Sequence, residues 1–202
     1  GASVGEDVAF GAVNLGLKPD EVAQRTAGAL EAVGVAGLAD KAMHTLSYGQ
    51  KRRVAIAGVL AMAPETILLD EPTSGLDPRG VSSVMRLLRG LNRDKGISMI
   101  MATHDVELVP LFCQRVAVMS RGRIIAAGPP AEIFADVTMI RKAELRLPRV
   151  SHLIEILRKR EGMDFPRMPL TIGEARRELM RYLGKSPETD AKALAKEPYE
   201  SR

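Results

Sequence analysis

Three observations predict an α/β protein. Apolar strand-like runs and amphipathic helical stretches alternate from residue 66 to 115, the pattern of a largely parallel sheet with connecting helices. Two of these runs end in chemistry-bearing side chains: Ile67-Leu68-Leu69 leads into Asp70-Glu71, and Ile97–Thr103 leads into His104. In open α/β sheets functional residues collect at strand carboxyl ends. Helical patterns occupy both flanks, so the sheet-bearing segment sits between a helical beginning and a helical end.

Residues 1–45 read as helices and turns. Pro19 sits at a helix start, and Glu21–Val33 forms a helix ended by Gly34. A second helix is expected over 47–62, with Val54, Ala57, Gly58 and Ala61 on one close-packing face and Pro64 as its stop. Ile67–Leu69 reads as a short buried strand. Val81–Leu91 reads as a helix whose stripe is Val84, Leu87, Leu88 and Leu91. Ile97–Thr103 is a strand and Val106–Phe112 a short helix. Val116–Met119 and Ile124–Ala127 flank Ser120-Arg121-Gly122-Arg123, a hairpin with a glycine turn. A short helix follows over Ala131–Phe134. Beyond Asp136, Met139–Arg146, Val150–Arg160 and Thr171–Tyr182 read as helices, the last with Thr171 and Glu174 as a capping box. Residues 184–202 read as a frayed polar tail.

Composition narrows the class. The chain has 202 residues, enough for one domain and an appendage. Aromatics are only 3%, so aliphatic residues and Met must fill the core. The net charge is +4, and residues 137–183 alone carry a net +5, leaving the rest near neutral. No stripe is pure enough to indicate nucleic acid. Cys113 is the single cysteine, which excludes an internal disulfide, fits a reducing compartment and reads as a small core residue. The longest strongly apolar run, Ala55–Ala63, is about half of the ~18 residues a membrane span requires. The chain opens at Gly1 with no signal-peptide pattern, so the expectation is an N-terminally incomplete piece of a longer cytoplasmic protein.

Four short motifs carry the chemistry. In Leu46-Ser47-Tyr48-Gly49-Gln50, Ser47 and Gly49 precede a helix whose N-terminus offers free N–H groups to a phosphate. Alone, this would be a plain N-capped surface helix. Asp70 and Glu71 end an apolar strand, and adjacent residues of a strand point to opposite faces, so the two carboxylates do different work. Ser74-Gly75-Leu76-Asp77 follows, where Asp77-Pro78 also suits a helix start. His104, in isolation, would be an ordinary strand-end histidine.

In this order the motifs resemble the signature, Walker B, D-loop and H-loop of an ABC (ATP-binding-cassette) ATPase, over residues 1–136. The resemblance implies a partial ABC-type P-loop NTPase fold with a helical signature subdomain, plus a small C-terminal helical extension. It implies that Ser47, Gly49 and Gln50 bind the γ-phosphate of ATP held by a second subunit, with Tyr48 standing where glycine is commonest. Asp70 would hold Mg²⁺ through water. Glu71 would orient and deprotonate the attacking water, His104 would sense the γ-phosphate, and Ser74 and Asp77 would reach the subunit interface. Such chemistry is mostly positioning and charge neutralisation. No Gly-x-x-x-x-Gly-Lys-Ser/Thr occurs, so Walker A and the Q-loop are expected upstream. Gly184-Lys185-Ser186 is not its end, because Leu179 stands where the loop needs glycine.

Ser3–Gly11 and Lys51–Ala57 look like the cobalt/nickel and energy-coupling-factor importers within that family. The implied function is the ATP-hydrolysing subunit of an importer for a divalent metal or a vitamin. It would act as a homo- or heterodimer on integral membrane subunits at the cytoplasmic face of the plasma membrane. The alternative is a non-catalytic half-cassette lending its signature to a complete ATPase partner. The soluble ABC proteins of DNA repair and translation are disfavoured, since neither a heptad run nor a second signature is present. The expected organisation is a signature subdomain over 1–64, an ATPase core over 65–136, a helical extension over 137–183 and a flexible tail over 184–202.

Overall fold

A computed structural model describes residues 3–184; the tail expected from 185 onward, with Ser186, lies outside the described residues. Contacts divide the chain into two compact units, meeting at Thr103 and His104.

The first unit begins with three helices, α1 (Val4–Asn14), α2 (Pro19–Ala32) and α3 (Tyr48–Leu60), which pack on one another. Pro19 opens α2, and the chain leaves it through Gly34 at φ +71°, as the sequence predicts. Val54, Ala57 and Ala61 of the expected α3 face are buried. Strand β1 (Thr66–Asp70) pairs in parallel with β2 (Ser98–Ala102), with Leu68 opposite Ile100 and Asp70 opposite Ala102. The crossover between them is α4 (Pro78–Lys95), capped at its start by Asp77 and ended by Gly96 at φ +68°. Its buried stripe is Val84, Met85, Leu88 and Leu91, with Met85 taking a place assigned to Leu87.

The β1 strand is not buried on both faces. Ile67 is buried, but Leu68 is 75% exposed and its partner Ile100 is 62% exposed. A continuous apolar run suits a parallel strand covered on both sides. The described residues cover only the Ile67 side.

The second unit holds α5 (Val109–Phe112), an antiparallel hairpin of β3 (Val116–Ser120) and β4 (Arg123–Gly128), and the helices α6 (Pro130–Ala135), α7 (Val137–Lys142), α8 (Arg149–Glu161) and α9 (Ile172–Tyr182). Arg121 and Gly122 at the hairpin tip both have positive φ, +50° and +74°. That is the two-residue turn whose twist matches a right-handed hairpin. Helix α5 starts later than the sequence suggests because Asp105 accepts from the Glu107 N–H, holding 104–108 as turns until Pro110 enters the first helical turn. Helix α7 stops at Lys142 rather than Arg146, where Glu144 at φ +59° turns the chain toward Pro148. At α9 only half of the expected box forms. Thr171 Oγ1 accepts from Glu174 N–H, but the Glu174 carboxylate accepts from Leu170 N–H.

One core crosses the boundary the sequence places at 136. Val109, Val118, Ile133 and Phe134 cluster with Ile140, Ala143 and Leu170. Cys113 packs against this cluster, and burial pushes its thiol pKa up, as suits an unreactive core residue.

The extension has its own internal ties. Ser151 donates to Pro169 O at 2.6 Å, and Phe165 and Tyr182 rings stand 5.6 Å apart. Buried Glu155 meets Lys159 at 2.7 Å and Arg141 at 2.8 Å. The Lys159 hydrogen bond holds its carboxyl below the usual carboxylate range, with the charges of Arg141, Lys159 and His152 acting in the same direction and burial opposing them. A lowered native pKa means stability that is present above the unfolded-state value, about 4.3. That stability is lost as pH falls through the lower native value. The thermal midpoint should therefore drop on acidification below about pH 4, and Glu155→Gln should flatten that part of the curve. An acid limb identical in the two proteins would assign the loss to other carboxylates.

Candidate functional site

The expected signature lies at the start of α3. Ser47 is the N-cap: its hydroxyl accepts from Gln50 N–H at 3.3 Å, and Gln50 Oε1 accepts from Ser47 N–H at 2.9 Å. This reciprocal box satisfies two backbone donors and leaves other N–H groups of the first turn available. The resemblance reads Ser47 and Gln50 as phosphate contacts; in this structure their side chains cap the helix. Gly49 faces open space, since a Cβ placed there would meet nothing within 4 Å. An approaching anion could come as close to its backbone as glycine allows.

The carboxylates lie at the carboxyl end of β1. Asp70 is the last strand residue and is exposed. Glu71 breaks the strand with φ +44°, before Pro72 can. A left-handed conformation costs a non-glycine residue about 1–2 kcal/mol, so the surroundings must hold it. Glu71 N–H donates to Ala102 O at 2.9 Å on β2, and Glu71 O accepts from Ser74 N–H at 3.1 Å. Pro72 and Thr73 are buried beneath this turn. Asp70 thus ends the strand in the open while Glu71 sits in a left-handed turn beyond it, and two different backbone settings suit two separate tasks.

Thr103 Oγ1 stands 3.4 Å from Glu71 Oε2. That is long for a hydroxyl–carboxylate bond and acts as an orienting contact. In the sequence Thr103 carries no assigned role. The only available signal was its place at the end of the expected second strand. His104 belongs to the second unit, where it is exposed and its carbonyl accepts from Val106 N–H at 3.1 Å.

Ser74 is exposed in the turn after Glu71, and Asp77 Oδ1 accepts from Gly80 N–H at 2.7 Å as the α4 N-cap. A further residue joins these parts. Arg52, one turn into α3, directs Nη2 to Glu71 O at 3.4 Å and to Ser74 O at 3.5 Å. Ser47, Gly49, Glu71 and Ser74 thus belong to one locality of the first unit. Among the described residues no cluster of three or more His, Cys, Asp or Glu forms a metal cage. A lone exposed carboxylate such as Asp70 fits Mg²⁺, which keeps most of its waters and binds through one or two carboxylates together with substrate phosphates.

The ABC transporter family profile matches residues 2–74. The energy-coupling factor transporter ATP-binding protein EcfA3 of Clostridium perfringens is 52% identical over 184 residues, covering 91% of this chain and 65% of that protein. The EcfA protein of Methanocaldococcus jannaschii is 56% identical over 181 residues, covering 90% of this chain and 64% of that protein. This chain therefore spans just under two thirds of the length of these relatives. Among solved structures, cbiO1 of Clostridium perfringens, part of the ABC transporter complex cbiONQ, superposes with a TM-score of 0.63 at 55% identity, over 77% of this chain and 62% of cbiO1.

Proposed function

The chain belongs to the ABC transporter ATPase family, and from that premise we propose that it forms part of the ATP-hydrolysing subunit of an energy-coupling-factor type importer. One observation carries the reading: the phosphate-suited start of α3 and the carboxylate end of β1 meet through Arg52. The first turn of α3, with Gly49 open, receives the γ-phosphate of ATP held by a second ATPase subunit. Glu71 takes the proton of the attacking water, its carboxylate aimed by Thr103 and by its own backbone turn. The resemblance of its motif assigns γ-phosphate sensing to His104. Ser74 and Asp77 lie on the turn offered to the second subunit. Asp70 holds the water shell of Mg²⁺, which when bound neutralises charge on the phosphates.

Among the described residues no helix is long and apolar enough to cross a membrane. The subunit works by docking on integral membrane subunits at the cytoplasmic face, and those subunits select the solute. The solute is a divalent metal such as cobalt or nickel, or a vitamin, with the metal ahead on the resemblance of Ser3–Gly11 and Lys51–Ala57.

The test uses the assembled transporter. Gly49→Asp introduces a carboxylate where the phosphate approaches, with no neighbour to clash against. Like charges so placed cost several kcal/mol, so hydrolysis should fall at least about tenfold while the fold stands. Uptake of labelled cobalt or nickel should fall with it in a deletion strain carrying the variant. Hydrolysis unaffected by Gly49→Asp removes the phosphate role. Metal uptake persisting in the deletion strain while vitamin uptake is lost moves the substrate to the vitamin.

A further inference from the structure

We propose that Arg52, seated on the ring of Tyr48, is a positioning residue that clamps the turn carrying Glu71 and Ser74 to the first turn of α3. The proposal rests on the reading of Glu71 as the base. The Arg52 guanidinium carbon stands 5.8 Å from the Tyr48 ring centroid, within cation–π reach. The same ring also lies against the turn at Gly75. A Cβ at Gly75 would sit 3.3 Å from Tyr48 Cε1 and 3.5 Å from Cζ, and Gly75 has φ +75°. Glycine at that position gives the turn its left-handed backbone and gives the ring its place.

From this seat Arg52 Nη2 reaches Glu71 O and Ser74 O, at 3.4 and 3.5 Å. Each contact is at the long limit of a hydrogen bond, but the donor is charged and the two carbonyls converge on it. Glu71 keeps its left-handed conformation only while its surroundings hold it. Its N–H is held by Ala102 O on β2, and its carbonyl by Ser74 N–H and Arg52. Without Arg52 the carbonyl side has one holder fewer, and it is the side that leads into the Ser74 turn. The carboxylate direction then loosens, and small misplacements of a catalytic group have large effects on rate. The groups facing phosphate, on the α3 first turn, keep their own capping box and are untouched.

The experiment is steady-state ATP hydrolysis by the assembled transporter carrying Arg52→Met, Arg52→Lys, Tyr48→Ala and the double variant Tyr48→Ala/Arg52→Met. Arg52→Met should lower kcat about tenfold while KM for ATP moves less than twofold, a split that a damaged phosphate site would not give. Arg52→Lys should recover part of the rate, since an ammonium can reach one carbonyl but lacks the planar fork. The double variant should be no slower than Arg52→Met, because the two side chains act as one unit. Parent kcat in Arg52→Met overturns the clamp and leaves Glu71 as the base. So does a loss confined to thermal stability or yield, with kcat per folded complex unchanged. Parent kcat in Glu71→Gln overturns both.

Discussion

Glu71→Gln should stop turnover in the assembled transporter while ATP binding survives. The expected fall in kcat is about 10²–10⁴-fold, the usual contribution of a positioned general base. The affinity for ATP should change by no more than a few-fold. The amide keeps the size of the carboxylate and an oxygen that can still accept from Thr103 Oγ1, so the orienting contact survives. The hydrogen bonds that hold φ +44° run through Glu71 N–H and C=O, which glutamine shares. The thermal midpoint should therefore stay at the parent value, and loss of rate without loss of fold isolates the chemistry. Single-turnover hydrolysis with a parallel nucleotide-binding titration measures both halves. Near-parent hydrolysis in the variant would take Glu71 out of the role and return the search to the rest of the β1 carboxyl end.

Truncation after Asp136 should cost the second unit its cooperative fold rather than merely remove an appendage. It deletes Ile140, Ala143 and Leu170 from the core that Val109, Val118, Ile133 and Phe134 share with them. A point variant gives the graded form of the same expectation. Ile140 is fully buried, and Ile140→Ala should destabilise by about 2–5 kcal/mol through lost transfer energy plus the cavity left behind. Urea unfolding and limited proteolysis across 104–136 report on it. Truncated protein with an unchanged unfolding midpoint and the same protease resistance would show that the hairpin and α6 hold together without the extension.

The local features of this fold were legible because short-range physics writes them. Ser47 and Gln50 are three residues apart, and that spacing closes the capping box seen at α3. Asp77-Pro78 announces the start of α4, and the periodic apolar positions of 84, 88 and 91 are its buried stripe. The glycine turn of the hairpin follows from Arg121-Gly122. Motif order likewise names the family, which the comparisons bear out.

The residues that join those pieces were not legible. Arg52 meets Glu71 and Ser74 across 19 and 22 residues of chain, and nothing in Lys51-Arg52-Arg53 says which cation will reach them. The positive φ of Glu71 is invisible in Asp-Glu-Pro, because it is imposed by Ala102 on another strand. Tyr48 reads as an odd residue in its motif until Gly75 is found close against its ring.

The sequence by itself determined most of the secondary elements, the caps of α3 and α4, the order of the motifs and the family they belong to. Each depends on spacings of a few residues or on a pattern of residue types. Only the tertiary structure decided that one side of β1 is covered while Leu68 stands open, that the core runs through position 136, and that Arg52 stands between the two halves of the site. Those outcomes depend on which distant segments come to lie together. A hydrophobic or charged side chain specifies that it will be satisfied, but not by which partner.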